Sequence, residues 1–230
     1  RPRVSDAKNY RWALYAQDEF SFAENWTFNA GLRYDFFSTF GDTVNPRLGF
    51  IYSPWKSTTF KLLYGTAFRA PTQFEINSLL AGLDPNPDLQ PEELETTEFI
   101  VEHYFNGHLR GEFNVFHTKV DHIIAQEKAT DGVRAKNKNI DNAISNGVEL
   151  QLEDSWTNGF QARLSYSWQD TDYDLQGTSL PNSPQHMVKL NLIAPLWQDK
   201  IFVGFENRYT SGRSIQPKTA DATIGKVDGY

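Results

Sequence analysis

An every-second-residue apolar rhythm, broken by gaps that alternate between very short and long, constrains this chain more than any other feature. From Trp26 to Phe36 every even position is apolar or aromatic and every odd position is polar, charged or Gly. A strand turns successive side chains to opposite faces, so this segment has one apolar and one polar face. The same pattern returns from Phe60 to Phe68 and from Phe160 to Gln169.

Continued along the chain, the rhythm predicts about ten strands, near residues 10 to 22, 26 to 37, 45 to 53, 58 to 69, 95 to 105, 108 to 120, 144 to 154, 160 to 170, 184 to 194 and 200 to 210. Most are roughly ten residues long, the length a tilted membrane-spanning strand requires and longer than soluble sheets need. Tight connections are expected at Ala23-Glu24-Asn25, Pro54 to Ser57, Asn106-Gly107, Ser155 to Asn158 and Pro195 to Asp199, and every intervening connection is expected to be longer. Short turns on one rim and long loops on the other describe an all-β, transmembrane, antiparallel up-and-down β-barrel segment. Trp26, Trp55, Trp156 and Trp197 all fall at or beside the short turns, where indole rings would form half of an interfacial aromatic girdle.

Composition is consistent with this. The 230 residues are 39% hydrophobic and 14% aromatic, yet the mean hydropathy is −0.55. No stretch approaches twenty apolar residues, which excludes a transmembrane helix but not a barrel, whose alternating strands average out. A net charge of −7 without a basic aromatic-interleaved cluster argues against a nucleic-acid partner. With no cysteine there is no disulfide scaffold, thiol nucleophile or Cys-ligated zinc site. The only methionine is Met187 and Val227-Asp228-Gly229-Tyr230 follows a polar loop, so the chain is expected to be part of one larger barrel domain, with closing strands cut away.

Several motifs occur in an order that resembles the barrel of the TonB-dependent outer-membrane receptors. They are Gly31-Leu32-Arg33-Tyr34-Asp35, Asn45-Pro46-Arg47-Leu48-Gly49, Tyr64 to Pro71, Asn86-Pro87-Asp88-Leu89-Gln90-Pro91-Glu92, Asn146-Gly147-Val148-Glu149-Leu150 and Asn182-Ser183-Pro184-Gln185-His186. The resemblance runs from about Tyr10 to Tyr230. It implies a barrel of about 22 strands closed by an N-terminal plug that engages the TonB complex, and neither plug nor TonB-binding box is expected in this chain. The motifs also have local physical meaning: Pro46 is expected at a strand start and Pro71 just past a strand end, where a missing ladder donor costs little. Arg33, Arg47 and Arg163 share the polar face with Asp35, Glu149 and Gln161, expected to be the lumen, where a salt-bridged solvated wall needs no ligand role.

No motif for acyl transfer, nucleotide hydrolysis or hydride transfer occurs, so no catalytic residue, cofactor or resident metal is expected. His103, His108, His117 and His122 lie close in sequence without metal-ligand spacing. Asp170-Thr171-Asp172-Tyr173-Asp174 imitates a calcium loop but has Leu175 where Gly and Pro181 where Glu are needed.

The resemblance implies an outer-membrane receptor of a Gram-negative bacterium, surrounded by outer-membrane lipid, that takes up a scarce nutrient such as a ferric siderophore. Cobalamin, haem and oligosaccharides are alternative cargoes, and a passive porin or a soluble β-sandwich are rivals of other classes. Ligand would be caught by extracellular loops near residues 70 to 94, 121 to 143, 171 to 183 and 211 to 227, with Arg69, Gln73, Phe74, Glu75, Asn77, Arg134, Asp172 and Tyr173 as contact candidates. The first of these loops has five acidic residues and no Lys or Arg, an odd surface on which to steer an anionic chelate.

Overall fold

The computed structural model describes residues 9–77, 83–127, 135–173, 181–197, 200–215 and 225–227. Ten strands form one antiparallel sheet in strict sequence order: β1 (Arg11–Ala23), β2 (Trp26–Phe37), β3 (Gly41–Trp55), β4 (Thr58–Arg69), β5 (Glu92–Tyr104), β6 (Leu109–Glu127), β7 (Lys136–Ser155), β8 (Gln161–Tyr173), β9 (His186–Leu196) and β10 (Ile201–Thr210). A short helix, α1 (Gln73–Asn77), follows β4, and a separate two-stranded sheet joins β11 (Arg213–Ile215) to β12 (Gly225–Val227). The sheet is open, with β1 and β10 as its edges among the described strands.

Register sorts the two faces. One transverse row runs Phe20, Phe28, Phe50, Leu62, Phe99, Val115, Val148, Trp168, His186 across nine strands. The opposite face carries Gln17, Gly31, Arg47, Gly65, Thr96, Thr118, Ser145 and Thr171 in a single row. Burial is inverted relative to a soluble domain: Leu32, Leu62 and Leu164 are exposed, whereas Asp35, Thr43, Asn45 and Asn114 on the polar face are buried. The polar face is thus the crowded one, and the apolar face is left for lipid.

Aromatic residues gather in two belts. At the short-turn rim Trp26 stacks on Tyr52 at 3.9 Å and lies 4.9 Å from Phe50, with Phe22 against both Trp26 and Phe50. At the other rim Trp12 packs on Tyr34 and Phe36 at 5.2 and 5.8 Å. From Trp26 to Phe36 along β2, a rise of about 3.3 Å per residue and a tilt of about 40° give a vertical separation of about 25 Å. That is the height of the apolar band of an outer-membrane barrel.

The tight turns fall where the rhythm predicts them, but the opposite rim is less uniform than expected. The β2–β3 connection is only residues 38–40, because Gly41 at φ 101° makes a tight turn and Asp42 to Val44 continue the ladder opposite Tyr34 to Phe36. Strands β6 and β7 extend well beyond the predicted ends, so residues 121–127 and 136–143 of the expected loop are strand instead. His122 at φ 60° and register shifts between Val120 and Ile124 break the alternation there, which is why the sequence rhythm stops early although pairing resumes.

Candidate functional site: the loop rim and the polar wall

The described residues between β4 and β5, 70–77 and 83–91, are held at both ends. Arg69 closes β4 opposite Glu92, which opens β5. Its guanidinium donates from Nε and Nη2 to the two Glu92 oxygens at 2.6 Å each, and from Nη1 to both Glu75 oxygens at 3.1 Å. A planar fork that grips two carboxylates fixes their relative positions as a point charge could not. Glu75 also accepts from the Thr72 N–H (2.7 Å) and hydroxyl (2.8 Å), while the Thr72 hydroxyl oxygen accepts from the Glu75 N–H at 3.2 Å. This reciprocal capping box starts α1. Burial pulls the Glu75 carboxyl upward, but the hydrogen bonds from Arg69 and Thr72 outweigh it and hold the group below its ordinary range.

The loop then docks on the extended β6–β7 hairpin. Asn137 Nδ2 donates to the Glu75 carbonyl at 2.9 Å, Asn86 Nδ2 to the Asn137 carbonyl at 2.7 Å, and Asn139 Nδ2 to the Gln90 and His122 carbonyls at 3.0 and 2.7 Å. Backbone bonds Asp84 N–H to Ala135 O and Asn86 N–H to Ile76 O complete the seam. Leu83, Leu89, Pro71 and Pro91 are buried beneath it. Amide side chains suit this task because each carries donor and acceptor and satisfies loop backbone that no ladder reaches.

Of the sequence-derived contact candidates, Arg69 and Glu75 are therefore engaged with each other and with Glu92 and Thr72. Gln73, Phe74 and Asn77 stand exposed on α1, with Gln73 Oε1 accepting from Asn77 Nδ2 at 2.9 Å. Asp172 and Tyr173 are half-buried at the same rim but on β8, opposite Ile144 and Ala143, four strands from β4. Arg134 lies outside the described residues. The sequence reasoning overlooked Glu92, Asn86, Asn137 and Asn139 as loop staples; the Thr72-x-x-Glu75 spacing was the one available signal for any part of this arrangement.

Below the rim the polar wall carries a charge ladder that crosses five strands. Lys61 on β4 pairs with Glu102 on β5, Glu102 with Arg110 on β6 at 3.2 Å, Arg110 with Glu112 and with Glu153 on β7 at 2.5 and 3.0 Å, and Glu153 with Arg163 on β8. Asp35 is held by Arg33 in a two-pronged pair at 2.7 Å. Among the described residues no group of His, Asp and Glu is disposed to hold a metal ion; His103 bonds Thr58 at 2.8 Å and His117 bonds Asn146 at 2.7 Å.

An inside-out antiparallel sheet, two aromatic belts and one built rim define a wall segment of an outer-membrane-type barrel. The chain belongs to the TonB-dependent receptor family: the family model described as TonB dependent receptor-like, beta-barrel matches residues 1–230. The vitamin B12 transporter BtuB of Vibrio cholerae is 28% identical over 189 residues, covering 80% of this chain and 28% of the transporter. The iron-regulated outer membrane virulence protein of the same organism is 26% identical over 238 residues, covering 91% of this chain and 35% of that protein. A ferric enterobactin receptor from Pseudomonas aeruginosa, in complex with enterobactin, shares the fold with a TM-score of 0.82 at 16% identity, over 96% of this chain and 36% of that one. The chain thus spans about a third of the length of these relatives.

Proposed function

We propose that the chain is wall and loop rim of a Gram-negative outer-membrane receptor that imports a scarce metal chelate, a ferric siderophore, by TonB-coupled transport. The observation that carries this reading is the asymmetry of the rims. One is trimmed to tight turns, while the other bears a loop clamped at its base and stapled to a neighbouring hairpin, with Gln73, Phe74 and Asn77 presented to solvent. Loops held by a rigid scaffold are where recognition resides. In this reading a plug fills the lumen, TonB pulls on it, and this chain contributes the route and the ligand-catching surface. Family membership and the relatives described above support it.

A second reading, cobalamin as cargo, is favoured by residues 70–91, which hold no Lys or Arg to attract a polyanionic chelate. The relative named as a vitamin B12 transporter points the same way. The test is uptake of radiolabelled ferric enterobactin and of radiolabelled cyanocobalamin by cells whose only candidate receptor is the intact parent protein, with and without TonB. TonB-dependent accumulation of one cargo identifies it. Accumulation that persists without TonB or proton-motive force would sink the energised mechanism and favour a passive pore.

A further inference from the structure

Strands β3 and β4 stay paired only up to Arg47 opposite Gly65, although both continue beyond that row. Above it Phe68 packs edge-on against Phe37 and Phe40, at 5.6 and 6.3 Å. The departure opens a cavity of about 330 Å³ whose lining includes Gln17, Gly31, Arg33, Arg47, Thr66 and Phe68. Arg47 sits in its transverse row with Gly31 on one side and Gly65 on the other, so neither neighbouring position raises a side chain around the guanidinium. A Cβ built at Gly65 would lie 3.7 Å from Arg47 Cγ, and one at Gly31 3.7 Å from Gln17 Cγ, so the floor is open rather than pinched.

The charges here do not balance. Arg33 is neutralised by the two-pronged pair with Asp35, whereas Arg47, exposed on the same face, makes no ion pair among the described residues. Two guanidiniums and one carboxylate leave a single uncompensated positive charge in a chain whose net charge is −7.

We propose that this cavity is a carboxylate-binding pocket on the lumen wall, with the Arg47 fork as the charged donor and the Gln17 amide as a neutral one. A guanidinium with a vacant planar edge matches a carboxylate in both geometry and charge. The proposal rests on the transport reading for its setting, since it takes this face as the wall of the route. The carboxylate has two possible sources: an anionic cargo in transit, or an acidic side chain of the parent polypeptide lodged in the lumen.

The test uses the intact parent receptor and three variants. Arg47→Gln removes the charge, Gly65→Leu fills the floor while keeping it, and Arg163→Gln is a control that removes a lumen charge elsewhere. Metal-free citrate binding is measured by calorimetry in detergent, and vancomycin entry is measured in cells at matched receptor abundance. Citrate binding to the native protein that weakens at least about tenfold in Arg47→Gln and Gly65→Leu, but not in Arg163→Gln, supports an external carboxylate. No citrate binding to the native protein, with vancomycin entry raised by the two pocket variants alone, supports an internal one. Pocket variants that match Arg163→Gln in both assays overturn the proposal. TonB dependence of uptake, measured separately, judges the transport reading independently.

Discussion

Single residues on this wall differ in what surrounds them more than in their chemical type. Leu32 faces outward in mid-strand, and Leu32→Arg in the intact barrel should cost about 2 to 4 kcal/mol. Arg47→Leu, on the opposite face and without an ion-pair partner among the described residues, should cost clearly less; urea unfolding in lipid vesicles compares them, and equal losses would contradict the assignment of faces. Arg33→Leu is not a comparable mild change, since it strands Asp35, whose side chain is 6% exposed. Glycines separate in the same way. A Cβ on Gly147 would enter the ring of Phe116, its register partner, and come within 2.7 Å of the Trp168 carbonyl oxygen, so Gly147→Ala should cost about 1 to 3 kcal/mol. Gly31→Ala meets nothing closer than 3.7 Å and should be tolerated. The alternation made the face of every such residue legible, and the two-residue spacing of Arg33 and Asp35 places them side by side on a strand. That Asp35 is buried and Arg47 unpaired was not legible, because curvature and the parting of β3 and β4 decide which polar positions are covered.

At the scale of elements, the clamp at the base of residues 70–91 is a titratable device. Glu75 has its folded value lowered by Arg69 and Thr72, so its stabilising contribution is whole above the ordinary carboxylate range near about 4.3 and is lost as pH falls through the lowered value. Hydrogen exchange of the Thr72 amide, corrected for intrinsic rate, should therefore stay protected from neutral pH down to about 5 and fail only under stronger acid. Loss of protection near pH 6 would implicate a histidine instead. Thr72→Ala should weaken the start of α1 by about 1 kcal/mol, read as faster proteolysis within the loop at neutral pH. The strands themselves and their tight turns were readable from period and punctuation. The height of β6 and β7 was not, because a left-handed residue and a bulge interrupt the period while backbone pairing resumes past them. Nor could the loop docking be read, since Asn86 meets Asn137 across 51 residues of chain.

For the whole molecule, orientation follows from the two rims. On intact cells bearing the parent receptor, a membrane-impermeant thiol reagent should label a cysteine placed at Asn77. Cysteines at Lys56, Gly107 or Asn158, in the tight turns, should react only after the outer membrane is permeabilised; the reverse order would invert the topology. The sheet's connectivity has one more consequence. Among the described residues each strand of the ten-stranded sheet is hydrogen-bonded only to the strands before and after it in sequence, and the exposed leucines and buried polar residues mean that no shared hydrophobic interior ties distant strands of this sheet together. Such a wall has no keystone. Damage to one hairpin is passed on only through the strands beside it. The exception is the segment from β4 to β7, where the stapled loop makes two successive hairpins inherit each other's changes, so variation in residues 70–91 is confined to what the β6–β7 extension will accept.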